Sequence, residues 1–574
     1  MSITGARYII EFLKHQGVRV VAGIPGGSIL PIYDALAETR GIRHVLARHE
    51  QGAAFMAQGM ARLTGRPGVC FATSGPGATN LVTAIADARR DGVPIVCITG
   101  QVPLPMIGTD AFQEVDIVAI TASITKLSRR VDSAAELPEA LAEAFAVASS
   151  GRPGPVLLDI PKDVQCQPVP AQDMSASASI FGDERLPAAS GWDISRAAAM
   201  INAAKRPVLL LGGGAVRAGA QALRLAVKAA IPATSTLMGL GAIPAGHPLD
   251  LGMHGMHGHP CANIALHECD LLVAVGNRFD DRATGDPATF CPEARIIHVN
   301  MDASELGRIK PADLGVAADA GQFLEALADL VEPRERRGWM ARIRSLKEHA
   351  PHLEHDAERT HARAVIAAVA ERMDEDAVVV TDVGQHQMFV AQSFPFKTPG
   401  RWLTSGGLGV MGFGLPAAIG AALADPAAQV VCFSGDGSLK MNIQELCTLA
   451  ETGANVKIVV LDNQSLGLVA QQQRLFYNRR SASRYAAGTD FSALARAFGV
   501  RGIDLDAQAD PEAALDDALA SRGPCLIHVR VDPAAMVFPM VPPGAANTQM
   551  LHGHEARAQA MPAERDMPEA VNMA

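Results

Sequence analysis

Aromatic side chains are scarce in this 574-residue chain: Phe, Tyr and Trp together make up 4%. No apolar run reaches the roughly 20 residues that span a bilayer, and the N-terminus lacks the basic start and apolar core of an export signal. Both absences point to a cytoplasmic protein with no membrane partner. Nor is there a basic stripe: 50 Lys and Arg face 60 Asp and Glu, a net charge of −10, which argues against nucleic acid as a partner. The nine cysteines are scattered between positions 70 and 525 without a Cys-x-x-Cys pair. Several lie inside apolar strand patterns, so they read as reduced, buried thiols and not as disulfides or zinc ligands.

What is present is an alternation of short apolar runs and helical patterns, the signature of βαβ units. The expected fold class is α/β, with three doubly wound parallel sheets. A first unit covers 1–165. Residues 166–190 lose periodicity and fill with Pro, Ala, Ser and Gln, as a linker does. A second unit spans 191–331, a charged linker of helical tendency 332–358, and a third unit 359–548. Residues 549–574 are expected to be a disordered tail.

The most informative stretch is 431–468. It opens with a buried strand pattern, turns at Gly435-Asp436-Gly437, passes through a helical pattern and returns in a second strand pattern ending near Asn463. Asp436 and Asn463, 27 residues apart, then sit at the C-terminal ends of two strands, the edge where open α/β sheets bind ligands. A carboxylate and an amide oxygen suit Mg²⁺, which takes its other ligands from phosphate and water. The spacing resembles the thiamin diphosphate signature, although Gly-Asp-Gly is also ordinary turn chemistry.

Other segments carry two readings each. Gly23 to Gly27 ends a strand and either admits a ligand to the backbone or simply turns tightly. Glu50 begins a helix of small residues, either as a carboxylate favoured by the helix dipole or as a buried carboxyl that shares a proton with a heterocycle. Arg152 and Lys162 stand at strand ends as solvated charges or ligand contacts. Met411, inside an uncharged Gly/Ala stretch, is core filler or a wedge under a cofactor. Gly212-Gly213-Gly214 and the 276–282 segment close two strands of the second unit without matching a dinucleotide fingerprint. His254, His257 and His259 lie among glycines, a loop near a ligand more than a metal scaffold.

Taken together, GIPGGSILPIYDAL, RHEQGAAFMAQGMAR, TSGPGATNLVTAIADA, TGQVP, IGTDAFQEVDI, SGRPGPVLLDIPKDVQ, GNRFDDR, TDVGQHQM, SGGLGVMGFGLPAAIGAA, FSGDGSL and PMVPPGAAN make the chain resemble the catalytic subunits of acetohydroxyacid (acetolactate) synthase over about residues 4–548. Its Gln-rich QQQRLFY segment is most similar to the bacterial isozyme I type. The resemblance implies pyrimidine-binding, central FAD-binding and diphosphate-binding domains. It implies an active site between the first domain of one subunit and the third of another, in a homodimer or a dimer of dimers, with a small regulatory subunit. The implied reaction decarboxylates pyruvate and joins the two-carbon unit to a second pyruvate or to 2-ketobutyrate.

Carried over by motif, Glu50 would contact the pyrimidine ring and Met411 would support the bent cofactor. Val383, Gly384, Gln385, His386, Gly409, Gly437, Ser438, Gly467 and Leu468 would line the thiamin diphosphate site. Asp436, Asn463 and the carbonyl of Ser465 would hold Mg²⁺. Gly27, Phe112, Gln113, Lys162 and Met256 map to positions around the reacting carbons, and Arg282 would bind the acceptor carboxylate bidentately. FAD would sit by Arg152, Gly212, Gly213, Gly214, Thr236, Leu237, Gly255, Met256, His257, Gly276, Arg278, Asp280, Arg282, Asn300 and Asp319. Two departures stand out. Gln472 replaces the family's usual Trp, which predicts weaker preference for 2-ketobutyrate, and Asp462-Asn463 replaces Asn-Asn without touching the implied metal ligand. Alternatives are a flavin-free catabolic synthase, disfavoured by GNRFDDR; a pyruvate oxidase; a glyoxylate carboligase, disfavoured by Glu50; and a catalytically silent partner subunit.

Overall fold

A computed structural model describes residues 2–170, 186–349 and 361–553. Three six-stranded sheets, parallel at every named pairing, carry the fold. Their inner strands are short, apolar and almost wholly buried, as sheets covered by helices on both faces require, while edge strands such as Leu127–Arg130 are polar and partly exposed. In the first sheet the spatial order is Arg43–Leu46, Val20–Gly23, Gly68–Ala72, Ile95–Gln101, Pro155–Pro161, Leu127–Arg130. The third repeats this order with Trp402–Leu403, Val378–Thr381, Val430–Gly435, Val456–Asp462, Cys525–Arg530 and Arg501–Asp504. The second is wound differently, as Asp250–Met253, Ala233–Ser235, Pro207–Leu211, Leu271–Val275, Arg295–Asn300 and Leu314–Ala317. Each sheet therefore has a point where the winding reverses, and a crevice opens beyond the strand ends there.

The first and third sheets share one core. The helix Glu50–Thr64 lies against Gly414–Ala424 of the third domain, and the small residues foreseen in both helices let the backbones touch. A Cβ on Gly59 would fall 2.0 Å from the Ala417 carbonyl oxygen, and one on Gly420 2.0 Å from that of Met56. Phe55 and Phe413 meet edge to face at 5.4 Å beside this contact. Gly59→Val is expected to force the helices apart at about 3 kcal/mol or more. Denaturant unfolding of the variant should separate into two transitions, and a wild-type curve would refute the close contact.

Three expected boundaries differ in detail. Within 166–190, Pro168–Pro170 pairs antiparallel with Ser2–Thr4, because its backbone groups find partners on that strand; residues 171–185 lie outside the described residues. Within 332–358, Arg337–His349 is a helix that presents Trp339, Ile343 and Leu346 to the central core. Its apolar residues recur on one face, and Trp339 Nε1 donates to the Pro207 carbonyl at 3.0 Å. The tail expected to be disordered from 549 is ordered at its start, where Leu551 and Met540 exchange backbone hydrogen bonds of 2.8 and 3.1 Å; 554–574 lie outside the described residues. No described helix is long and apolar enough to cross a membrane.

Candidate active site

At the third sheet's winding reversal, Val378–Thr381 and Val430–Gly435 run side by side and deliver Val383-Gly384 and Gly435-Asp436-Gly437 to one crevice. A cavity of about 170 Å³ opens there. Its wall brings together Val383, Gly384, Gln385, His386, Gly409, Met411, Asp436, Gly437, Ser438, Asn463, Ser465, Gly467 and Leu468. All thirteen were singled out from the sequence, over a span of 86 residues. Glycine is required where backbones and side chains crowd: a Cβ on Gly467 would lie 2.1 Å from Gln385 Oε1, and one on Gly437 2.7 Å from the Tyr485 hydroxyl.

Burial outweighs the one nearby counter-charge at this wall, Lys440. Burial, then the neighbouring Asp462, pushes the Asp436 carboxyl up to about 7, against the pull of Lys440 and nearby N–H groups. A bound cation would reverse that penalty. Asn463 Nδ2 donates to Gln385 Oε1 at 2.9 Å, and its Oδ1 accepts from Ser465 N at 3.0 Å. That carbonyl oxygen keeps a second lone pair for a metal. His386 Nε2 is buried without a hydrogen-bond partner, and burial lowers the ring's pKa to about 3, so it is a neutral imidazole. An oxygen-rich donor set, a glycine cradle and an orphaned ring nitrogen fit a diphosphate held through Mg²⁺.

Glu50 is not in this wall. It is buried at the first turn of its helix, with Oε2 accepting from Asn80 Nδ2 at 2.9 Å. The chain entering that helix is tied to the same subunit's third domain, since Glu445 Oε1 accepts from Arg48 N and His49 N at 2.9 and 3.0 Å. Gly27, Phe112, Gln113 and Lys162 also follow the C-terminal edge of the first sheet, apart from the Asp436 cavity. Phe112 is 86% exposed, on a loop organised by Glu114, whose oxygens accept from Gly108 N and Ala111 N. Gln113 adopts φ +61° there.

A second cavity, about 430 Å³, lies at the winding reversal of the central sheet and reaches both other domains. Arg152, Gly212, Gly213, Gly214, Thr236, Gly276, Arg278, Asp280, Asn300 and Asp319 all border it. The glycines let two strand ends meet, with a Cβ on Gly212 only 2.2 Å from the Gly276 carbonyl oxygen. Five arginines, at 62, 90, 152, 217 and 278, outnumber the aspartates at 91, 280 and 319. Burial and the nearby Arg278 lower the pKa of Arg152. Asn277 Nδ2 is buried there without a partner. This surplus of donors suits a diphosphate.

The remaining expected residues lie elsewhere. Met256 and Arg282 flank a cleft closed by the Val541-Pro542-Pro543-Gly544 segment, with Arg282 reaching the Met256 sulfur at 3.7 Å. Gly255 packs on the Arg282 backbone, Leu237 accepts from Trp402 Nε1 at 2.9 Å, and Gln472 is half-buried on the helix Gly467–Tyr477. His254 and His257 turn to different carbonyls, Ser235 O at 3.0 Å and Pro539 O at 3.1 Å. Among the described residues no group of three or more His, Cys, Asp or Glu is placed to hold a metal.

Sequence inspection missed Asn80, Glu445 and Asp382, which accepts Gly412 N at 2.8 Å at the end of the Met411 loop. Asn80 and Asp382 do fall inside the motif runs TSGPGATN and TDVGQHQM, a usable signal; Glu445 carries none.

Family models match in three places: the thiamine pyrophosphate enzyme N-terminal TPP binding domain over 3–120, the central domain over 194–327 and the C-terminal TPP binding domain over 382–529. The chain is 54% identical to the acetolactate synthase isozyme 1 large subunit of Escherichia coli strain K12, over 96% of its length and 97% of that protein's. It is 48% identical to the isozyme 2 large subunit of the same organism, over 96% and 99%. To the mitochondrial acetolactate synthase catalytic subunit of Saccharomyces cerevisiae it is 41% identical, over 96% and 84%.

Proposed function

The chain belongs to the acetolactate synthase family of thiamin diphosphate enzymes, and from that premise we propose how its own residues serve the reaction. The substrates are pyruvate as donor and a second pyruvate or 2-ketobutyrate as acceptor, giving 2-acetolactate or 2-aceto-2-hydroxybutyrate, an entry step to the branched-chain amino acids. The carrying observation is the convergence of the 383–468 residues on one cavity.

When bound, thiamin diphosphate supplies an electron sink for loss of CO₂. Asp436, Asn463 Oδ1 and the Ser465 carbonyl would hold Mg²⁺ for its diphosphate. Met411 and Leu468 offer apolar walls that exclude water. Glu50 would offer its buried carboxyl as hydrogen-bond partner to a ring nitrogen of the cofactor's pyrimidine, and Arg282 would bind the acceptor's carboxylate. Arg152, Arg278 and the Gly212-Gly213-Gly214 turn would hold FAD in the 430 Å³ cavity, where it would serve as an architectural group with no net redox role. Glu50 borders the first sheet and Asp436 the third without sharing a cavity, which supports a site completed by a second copy of the chain. A small regulatory subunit is proposed because the two Escherichia coli relatives are named as large subunits. A cytoplasmic location fits the reduced cysteines, all free among the described residues.

The purified protein with thiamin diphosphate, Mg²⁺ and FAD is expected to make acetolactate from pyruvate alone and both products when 2-ketobutyrate is added. No acetolactate under any cofactor combination, with or without a small subunit, rejects the function. Gln472→Trp is expected to raise the acetohydroxybutyrate to acetolactate ratio in competition by about 10-fold or more, the worth of a methylene in an apolar pocket. Leu468 and Val469, one helical turn earlier, already wall the cavity. An unchanged product ratio removes position 472 from acceptor selection.

A further inference from the structure

Met411 is carried by a loop, 405–412, in which four of eight residues are glycine. So permissive a backbone does not fix a side chain by itself; it is held from both ends. At the far end Asp382 accepts Gly412 N at 2.8 Å and Asn442 Nδ2 donates to the Gly412 carbonyl at 2.7 Å.

At the near end the clamp belongs to another domain. Asp91 Oδ1 accepts Gly407 N at 2.7 Å, its Oδ2 accepts Gly406 N at 3.2 Å, and Asp87 Oδ1 accepts the Ser405 hydroxyl at 2.5 Å. The Ser405 oxygen in turn accepts Val410 N at 2.8 Å, one residue before Met411.

This clamp is also a wall of the larger cavity. Arg62, which donates to Asp91 Oδ2 at 2.7 Å and lies 5.1 Å over the Phe413 ring, borders that cavity together with Asp91 itself. A Cβ on Gly407 would sit 3.2 Å from Arg278 Nη2, a third member of the same wall. The cluster is not saturated: among the described residues Arg62 Nε is buried without a hydrogen-bond partner, and Asp87 Oδ2 has no hydrogen bond, only an ion pair to Arg62 at 3.7 Å. An anion beside Arg62 and Arg278 therefore changes how strongly Arg62 competes with the Gly406 and Gly407 amides for Asp91.

We propose that Arg62, Asp87 and Asp91 are positioning residues that couple occupancy of the central cavity to the placement of the 405–410 loop and hence of Met411, so that the two cofactors bind cooperatively. The inference rests on the function proposed above for the identity of the ligands, and it gives the redox-silent flavin a thermodynamic task. Linkage requires the effect to be mutual.

The test uses the full-length apoprotein and calorimetric titration, with no turnover needed. Saturating FAD is expected to tighten thiamin diphosphate and Mg²⁺ binding about 10-fold, and saturating thiamin diphosphate to tighten FAD by the same factor. Asp91→Asn sets an NH₂ against an amide or guanidinium donor in either orientation, and should cut both factors to below about two. Ser405→Ala, a milder change that severs Asp87 from Val410, should also abolish coupling while leaving FAD affinity alone unchanged. Asp87→Asn keeps an acceptor for Ser405 and should preserve coupling. Should Asp91→Asn fail to fold, Ser405→Ala decides. Independent binding in the wild type, or full coupling in Ser405→Ala, overturns the inference alone; failure of either ligand to bind overturns it together with the function.

Discussion

Glu50→Gln is expected to lower kcat for acetolactate formation by a factor of about 100 to 10,000, the usual worth of a positioned proton-transfer group. The isostere can still accept from Asn80 Nδ2, which donates to Glu50 at 2.9 Å, so the helix start and its tie to Glu445 should survive. Binding of thiamin diphosphate, measured separately, should weaken far less than turnover. A kcat within threefold of wild type would refute a proton-holding role.

The same variant tests where the active site lies. Asp436→Asn should be inactive because it removes a metal ligand. If each site joins Glu50 of one chain to Asp436 of another, randomly reassorted subunits of the two dead variants give mixed dimers with one intact site, recovering about a quarter of wild-type activity. Sites confined to single chains recover nothing. The structure favours the first outcome because the helix carrying Glu50 is fastened to its own third domain by Glu445, at Arg48 N and His49 N. That contact spends the intrachain interface on packing, and Glu50 stays out of the Asp436 cavity.

How much of this was visible in the sequence follows from the range of each interaction. The strand 271–275 depends on local apolar patterning and is found where the pattern put it, whereas Gly435-Asp436-Gly437 passes from strand straight into the short helix Asp436–Leu439 with no separate turn. The small residues of Glu50–Thr64 announced a close partner without naming it; the structure supplies Gly414–Ala424, more than 350 residues away. The helix Arg337–His349 was taken for linker because its charges dominate its composition, although Trp339, Ile343 and Leu346 share one face. Asp87 lies inside the motif run TSGPGATNLVTAIADA, which marks the segment but not the residue's partner, and Asp91 lies in no motif run at all. Nothing local distinguishes either carboxylate, because their partners at Ser405 and Gly407 stand in another domain.

Asp436→Asn should also split stability from binding with opposite signs. In the metal-free protein this carboxyl is pushed up from its ordinary range to about 7, first by burial and then by Asp462, which is itself hydrogen-bonded to His528 Nε2 at 3.0 Å. A raised acid contributes no penalty below its unfolded pKa, an increasing one as pH rises towards its folded value, and the full one above it. At pH 8 the ionised group costs the fold on the order of 2–4 kcal/mol. With chelator present, the variant's third-domain thermal transition should therefore lie roughly 5 °C above wild type at pH 8, and the gain should shrink to less than half at pH 5. Added Mg²⁺ and thiamin diphosphate should then raise the wild-type transition above that of the variant, because a ligand stabilises the state that binds it. Calorimetric scans at the two pH values decide the matter. A variant no more stable than wild type at pH 8 would mean that the buried carboxylate costs the fold nothing and that the site is not strained in wait for its metal.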